Sequence, residues 1–133
     1  MDASSTLESP AWASGLPWPR NNSGELLVGG QSLSDTVAAI GATPCYVYDR
    51  SRLDARVKQL RARLPDILLH YAIKANPMPA LVCHMAGLVD GLDVASRGEL
   101  RTALDSGMSP QHISFAGPGK SDAELEQAQA AGI

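Results

Sequence analysis

The sequence predicts an α/β fold, a parallel sheet covered by helices. From Thr43 onward, apolar runs of strand length alternate with stretches whose apolar residues recur every three or four positions, the spacing of a helix with one buried face. The strands are nearly continuous apolar runs, as in sheets covered by helices. Polar residues of unusual type gather at one point in each unit, the turn leaving the strand. In parallel α/β folds those ends share one ligand-binding rim.

In chain order, residues 1–24 are rich in Ser, Pro, Gly and Asn and read as a mobile tail, with Trp12 and Trp18 the residues able to dock it on a larger body. The start has neither the basic and apolar regions of a secretory signal nor the Arg-rich character of a transit peptide. Residues 25–30 (ELLVGG) predict a short strand closed by a glycine turn. Leu33, Val37 and Ile40 then share one face of a short helix that Gly41 ends. Tyr46-Val47-Tyr48 is strand-like. Ser51 with Asp54 resembles an N-cap signal for an amphipathic helix through Leu53, Val57, Leu60 and Leu64, stopped by Pro65.

Three strand-then-helix units follow. The first strand spans Ile67–Ile73 and leads through Lys74-Ala75-Asn76-Pro77 into a helix over Leu81, Val82 and Met85 that Gly87 closes. The second spans Leu88–Val94, with an irregularity expected at Gly91. Ser96 and Glu99 form an S-x-x-E capping box for a helix through Leu100 and Leu104 to Gly107. The third spans His112–Ala116, then Gly117-Pro118-Gly119-Lys120. Ser121 and Glu124 make another capping box for a helix ending near Gly132.

Composition narrows the function. Eleven basic against 14 acidic residues, net charge −3, leave no basic stripe for phosphate contacts, which argues against nucleic acid. No apolar run approaches the roughly 18 residues of a membrane span. Cys45 and Cys83 lie far apart without a CxxC pair, so neither a zinc site nor a disulfide framework is suggested, and a reducing compartment fits. The three histidines, His70, His84 and His112, lack ligand spacing and are read as structural. Cys83 sits inside a helix without an evident base.

Lys74 is the sharpest single feature, because it ends an apolar strand where Val or Ile would be usual. At the mouth of a low-dielectric barrel a lysine amine is shielded from water, which suits nucleophilic chemistry or an imine with a carbonyl cofactor. The plainer reading is a strand-end lysine snorkelling to water. Asp93 lies at the equivalent point of the next strand, either to balance and orient Lys74 or to cap its own turn. Ser96 and Glu99 are explained by capping. Gly119-Lys120-Ser121 invites a phosphate-loop reading, but that motif requires glycine where Ser114 stands, so a tight glycine turn with an exposed Lys120 is preferred.

Taken together, Thr43-Pro44 with Tyr46-Val47-Tyr48-Asp49, Tyr71-Ala72-Ile73-Lys74-Ala75-Asn76, Leu92-Asp93-Val94-Ala95-Ser96-Arg97-Gly98-Glu99-Leu100 and Ile113–Ser121 resemble the fold-type III pyridoxal-phosphate decarboxylases, the ornithine/diaminopimelate/arginine decarboxylase family. The wording HYAIKANPMPALV, GLDVASRGEL and ISFAGPGKSDAEL looks most like the branch linked to bacterial exosortase and exopolysaccharide gene clusters. The resemblance implies the first three units of an alanine racemase-like (β/α)8 TIM barrel, with residues 1–42 as an arm and lead-in and 43–133 as the N-terminal part of the barrel. It implies that Lys74 forms the Schiff base with pyridoxal 5'-phosphate (PLP) and that Asp93 is an active-site contact beside it.

The implied activity is decarboxylation of a small-molecule amino acid by a cytoplasmic homodimer, with PLP as electron sink. An amino-acid racemase on the same barrel and a non-catalytic PLP-binding or regulatory relative are the alternatives. In the family the phosphate-binding glycine loop, the partner of the pyridine nitrogen and a ring-stacking histidine come from later strands, and a proton donor comes from a C-terminal β-domain. A barrel of this kind takes about 250 residues. The 133 residues are therefore expected to be an N-terminal fragment, with apolar strand edges unpaired, neither stable nor active alone.

Overall fold

A computed structural model describes residues 18–133, which fall into two compact units, 18–52 and Leu53–Ile133. The expectation for Trp12 lies outside the described residues. In the first unit, residues 18–24 are not tail. Arg20 bridges Leu26, Asn21 Oδ1 accepts from the Ser23 and Glu25 amides, and the Arg52 guanidinium stands 5.0 Å from the Trp18 ring centroid. The ELLVGG segment forms a hairpin rather than a lone strand, β1 (Leu27–Val28) pairing antiparallel with β2 (Gln31–Ser32) around Gly29 and Gly30, both at positive φ. Helix α1 (Leu33–Ile40) opens on Ser32, whose hydroxyl accepts from the Asp35 amide at 3.0 Å, and ends at Gly41 with φ 75°, as the glycine predicts.

Two sequence expectations fail before the sheet begins. Tyr46-Val47-Tyr48 joins no ladder among the described residues, and Tyr46 is 89% exposed. β-propensity makes a strand only where a neighbour satisfies its backbone groups. Helix α2 (Arg50–Arg63) starts one residue before Ser51, because Asp49 Oδ1 accepts from the Ser51 amide (2.9 Å) and hydroxyl (2.6 Å). The Ser51 bonds in turn hold the Asp49 carboxyl below its ordinary pKa. Asp54, expected to help cap α2, pairs with His84 Nε2 at 2.6 Å.

The second unit carries the predicted strand–helix repeats. Strands β3 (His70–Ala72), β4 (Gly91–Val94) and β5 (Ile113–Phe115) form a parallel sheet in the order β3-β4-β5, and α3 (Pro79–Ala86), α4 (Arg97–Asp105) and α5 (Asp122–Ala131) follow them. Each strand is shorter than its apolar run. Leu88 and Val89 turn back onto the Met85 carbonyl, and Ile67 and Leu68 are exposed at 55% and 75% before pairing begins. Asp90 sets the starting point: its Oδ2 accepts from the Leu69 amide (2.7 Å) and its own amide donates to the Leu69 carbonyl (2.8 Å). Its Oδ1 takes the Arg61 guanidinium of α2 at 3.0 Å.

Register decides what each strand presents. His70 pairs with Gly91, Ala72 with Asp93 and Asp93 with Ser114, while Tyr71 pairs with Leu92, Leu92 with Ile113 and Val94 with Phe115. Because side chains alternate along a strand, the second set shares the face covered by helices. Ile73, Val82, Leu92, Val94, Leu100, Ala103, Ile113 and Ala128 form the core there, and Val57, Leu81 and Met85 a smaller one. The strands are thus apolar on one face only, because the other carries His70, Asp93 and Ser114. Gly91 introduces no irregularity; it opens β4 in register. A Cβ there would lie 2.5 Å from His70 Cε1 and 2.5 Å from the His112 carbonyl oxygen, so only glycine fits without a shift.

Leu92 is fully buried. Leu92→Ala is expected to destabilise the full-length protein by roughly 2–5 kcal/mol, measured by denaturant unfolding. Arg61 is the leading reason the Asp90 carboxyl titrates below its ordinary pKa, with the Leu69 amide next. A depressed carboxylate stabilises the fold above its unfolded pKa, and that contribution disappears as pH falls through the folded value. Asp90→Asn should therefore flatten the acid limb of the stability–pH curve while lowering stability near neutrality; a parallel displacement at all pH values would contradict this.

Candidate active site

Lys74 sits in a single 3-10 turn, Ile73–Ala75, directly beyond β3. It does not end a continuing strand, as its apolar run suggests. Ile73 is fully buried and fixes one side of the turn. Asn76 fixes the other: its amide donates to the Ile73 carbonyl (3.0 Å), its carbonyl accepts from the Tyr71 hydroxyl (3.0 Å), and its Oδ1 accepts from the Met78 amide (3.1 Å). The Lys74 side chain is exposed, and no hydrogen-bond or ion-pair partner of its amine is found among the described residues. The shielding expected at a barrel mouth is thus not supplied by these residues.

Asp93 occupies the neighbouring strand, paired in register with Ala72 two residues before Lys74. It is not an isolated turn cap. Its Oδ1 receives His70 Nδ1 at 3.2 Å from β3 and the Ser114 hydroxyl from β5. The sequence reading of the three histidines did not anticipate this contact between His70 and Asp93. The available signal was period two: positions 70 and 72 share a face of β3, and the polar residues of that face needed a partner. His84 tethers α3 to α2 through Asp54, as a structural histidine does, and His112 lies in a 3-10 turn (Pro110–His112) before β5.

The remaining rim residues are engaged locally. Ser96 Oγ accepts from the Glu99 amide (3.3 Å), whereas Glu99 Oε2 accepts from the Ala95 amide (2.9 Å), one residue earlier than a regular capping box. Ser121 and Glu124 form the full box on α5. Glu124 also reaches α4, its Oε1 accepting from the Arg97 amide at 3.0 Å. The Ser121 amide, then its hydroxyl, then the Arg97 amide hold the Glu124 carboxyl below its ordinary pKa. Lys120 is half-buried rather than exposed, its Nζ bonding the Gly117 carbonyl (2.8 Å) and standing 5.0 Å from the Phe115 ring centroid. Gly117, at φ 108°, makes the turn that glycine alone adopts readily.

What these residues offer a cofactor follows from their chemistry. Lys74 presents a primary amine able to condense with an aldehyde, and Asp93 a carboxylate on the adjacent strand. Helix N-termini commonly hold phosphates, yet those of α4 and α5 already receive carboxylates of this chain. The described residues thus fit the carbonyl end of PLP. Cys45 and Cys83 are free, and no group of three or more His, Cys, Asp or Glu suited to a metal occurs among the described residues. No helix among them is long and apolar enough to cross a membrane.

Comparison with known proteins accords with this geometry. Residues 50–133 match the family described as pyridoxal-dependent decarboxylase, pyridoxal binding domain. The chain is 39% identical over 112 residues to a diaminopimelate decarboxylase of Aquifex aeolicus, covering 84% of this chain and 26% of that protein. It is 42% identical over 96 residues to the L-glutamyl-[BtrI acyl-carrier protein] decarboxylase of Niallia circulans, covering 68% and 22%. A chloroplastic ornithine decarboxylase of Nicotiana glutinosa is 33% identical over 90 residues, covering 68% and 21%. A crystal structure of a protein from Aquifex aeolicus superposes with a TM-score of 0.81 at 38% identity, covering 88% of this chain and 29% of that one. The chain thus spans about a quarter of the length of the curated relatives it matches. The matched region is a pyridoxal-binding domain, in keeping with PLP as cofactor. With its parallel sheet, its rim lysine and this match over residues 50–133, the chain belongs to the pyridoxal-dependent decarboxylase family.

Proposed function

We propose that this chain is the lysine-bearing part of a PLP-dependent amino-acid decarboxylase and that Lys74 holds the cofactor. The observation that carries the reading is the position of Lys74: an exposed amine, without a partner among the described residues, in a 3-10 turn at the C-terminal rim of a parallel sheet, inside a matched pyridoxal-binding domain. When bound, PLP supplies an electron sink for the pair left at Cα as the carboxylate departs as CO₂.

The chain's own residues contribute placement. Buried Ile73 and the Asn76 bonds keep the Lys74 backbone from shifting, so its flexible stem swings from a fixed point. Asp93 places a negative charge on the adjacent strand, suited to orienting a cationic group held at the rim. The substrate proposed is a small amino acid of the diaminopimelate or ornithine type, in keeping with the names of the relatives. Residues 43–133 would then form the first part of a (β/α)8 TIM barrel after a lead-in over 1–42. The whole protein would act as a cytoplasmic homodimer.

In the full-length protein, Lys74→Ala and Lys74→Arg should each abolish the visible absorbance of bound pyridoxal. CO₂ release from the amino acid should fall to the uncatalysed background. Arginine keeps the charge without the condensing amine, so its failure separates covalent attachment from electrostatics. Persistence of the absorbance in either variant would sink the assignment.

A further inference from the structure

We infer that His70 and Ser114 are positioning residues for Asp93: together they hold one carboxylate oxygen so that the other is presented to the group that Lys74 binds. This rests on the proposed role of Lys74. Three adjacent strands each contribute one polar side chain to the same sheet face, and those of the outer two, His70 and Ser114, converge on Oδ1 of Asp93 between them. Oδ2 has no partner among the described residues. A carboxylate held through one oxygen by two donors loses its freedom to rotate while keeping an acceptor free.

The site is also shaped for the imidazole. His70 lies against Gly91, where a Cβ would come within 2.5 Å of Cε1 and 2.6 Å of Nε2. The missing side chain at position 91 thus makes room for the ring beside Asp93. An ionised carboxylate only accepts, so its contact with Nδ1 places a proton on that nitrogen. Neither His70 nor Ser114 is needed for the core, which lies on the opposite face.

The test uses full-length protein and PLP itself as the probe. Ser114→Ala and His70→Phe remove the two donors, while Ser114→Thr and His70→Asn keep one near the same place. Expected are a loss of about tenfold in PLP affinity for Ser114→Ala and His70→Phe, the scale seen for partners that orient ligand groups, and recovery of most of it in Ser114→Thr and His70→Asn. In an Asp93→Asn background the His70→Phe and Ser114→Ala losses should vanish, because the effect passes through Asp93. Nitrogen-15 NMR of cofactor-free protein should show His70 protonated at Nδ1, and Asp93→Asn should change that signature. Unchanged affinity in Ser114→Ala and His70→Phe, or equal losses with and without Asp93, would overturn the inference. Loss of pyridoxal absorbance in Lys74→Ala would still stand in that event, so the two readings fail separately.

Discussion

The parallel register of β3, β4 and β5 is the constraint on which the rest of the second unit depends. Pairing Ala72 with Asp93 and Asp93 with Ser114 forces Tyr71, Leu92, Val94, Ile113 and Phe115 to the opposite face. Only that face can then be covered by α3, α4 and α5, and the fully buried Leu92, Leu100 and Val82 meet there. A slip of one residue would bury Asp93 beneath the helices and expose Leu92. The core and the polar cluster are therefore two consequences of one pairing. Full burial of side chains the size of Leu or Val is worth roughly 1.5–3 kcal/mol each, which makes the register strongly preferred.

Polar side chains then act where backbone groups would otherwise go unpaired. Asp49 closes the start of α2, Asp90 joins α2 to the entrance of β3 and β4, and Glu124 serves the first turns of both α4 and α5. Each carboxylate accepts from backbone amides, whose positions are set by the fold, and so gains specificity from geometry rather than from charge alone. The exposed Arg101–Asp105 pair at 3.8 Å is of a different kind, with two mobile side chains and little to orient. Shared acceptors such as Glu124 couple neighbouring helices, which keeps the rim turns between strand and helix in fixed relation.

The sequence made the order of elements legible because apolar periodicity, Gly41, Gly87, Gly132 and the Ser121–Glu124 box all act within a few residues of themselves. Lys74 and Asp93 were legible as rim residues for the same reason: each interrupts or ends an apolar run. What escaped was whatever depends on a partner distant in sequence. Tyr46-Val47-Tyr48 has the composition of a strand and finds no ladder among the described residues. The ends of β3 and β4 are fixed by Asp90 meeting Leu69, a contact no local pattern announces. The contact of His70 with Asp93 escaped because a lone histidine carries no signal until the register brings the two strands together. Gly91 read as an irregularity because the ring it accommodates comes from another strand.

The 3-10 turn after β3 explains how one short segment serves both core and site. Strand parity alone would send Ile73 to the helix-covered face and Lys74 to the face of His70 and Asp93. The chain keeps the first of these, with Ile73 fully buried, but tightens immediately, so that Lys74 is carried past the end of the ladder rather than along it. Asn76, bonded back to Ile73 and held by Tyr71 and Met78, prevents the turn from relaxing into further strand. The amine thereby gains a fixed origin without being packed against its own sheet. A strand continuing to Asn76 would have placed the lysine in line with Asp93's neighbours and invited an ion pair that occupies both groups. Stopping the strand at Ala72 leaves the Lys74 amine and the second Asp93 carboxylate oxygen without a partner among the described residues, so neither group is spent on the other.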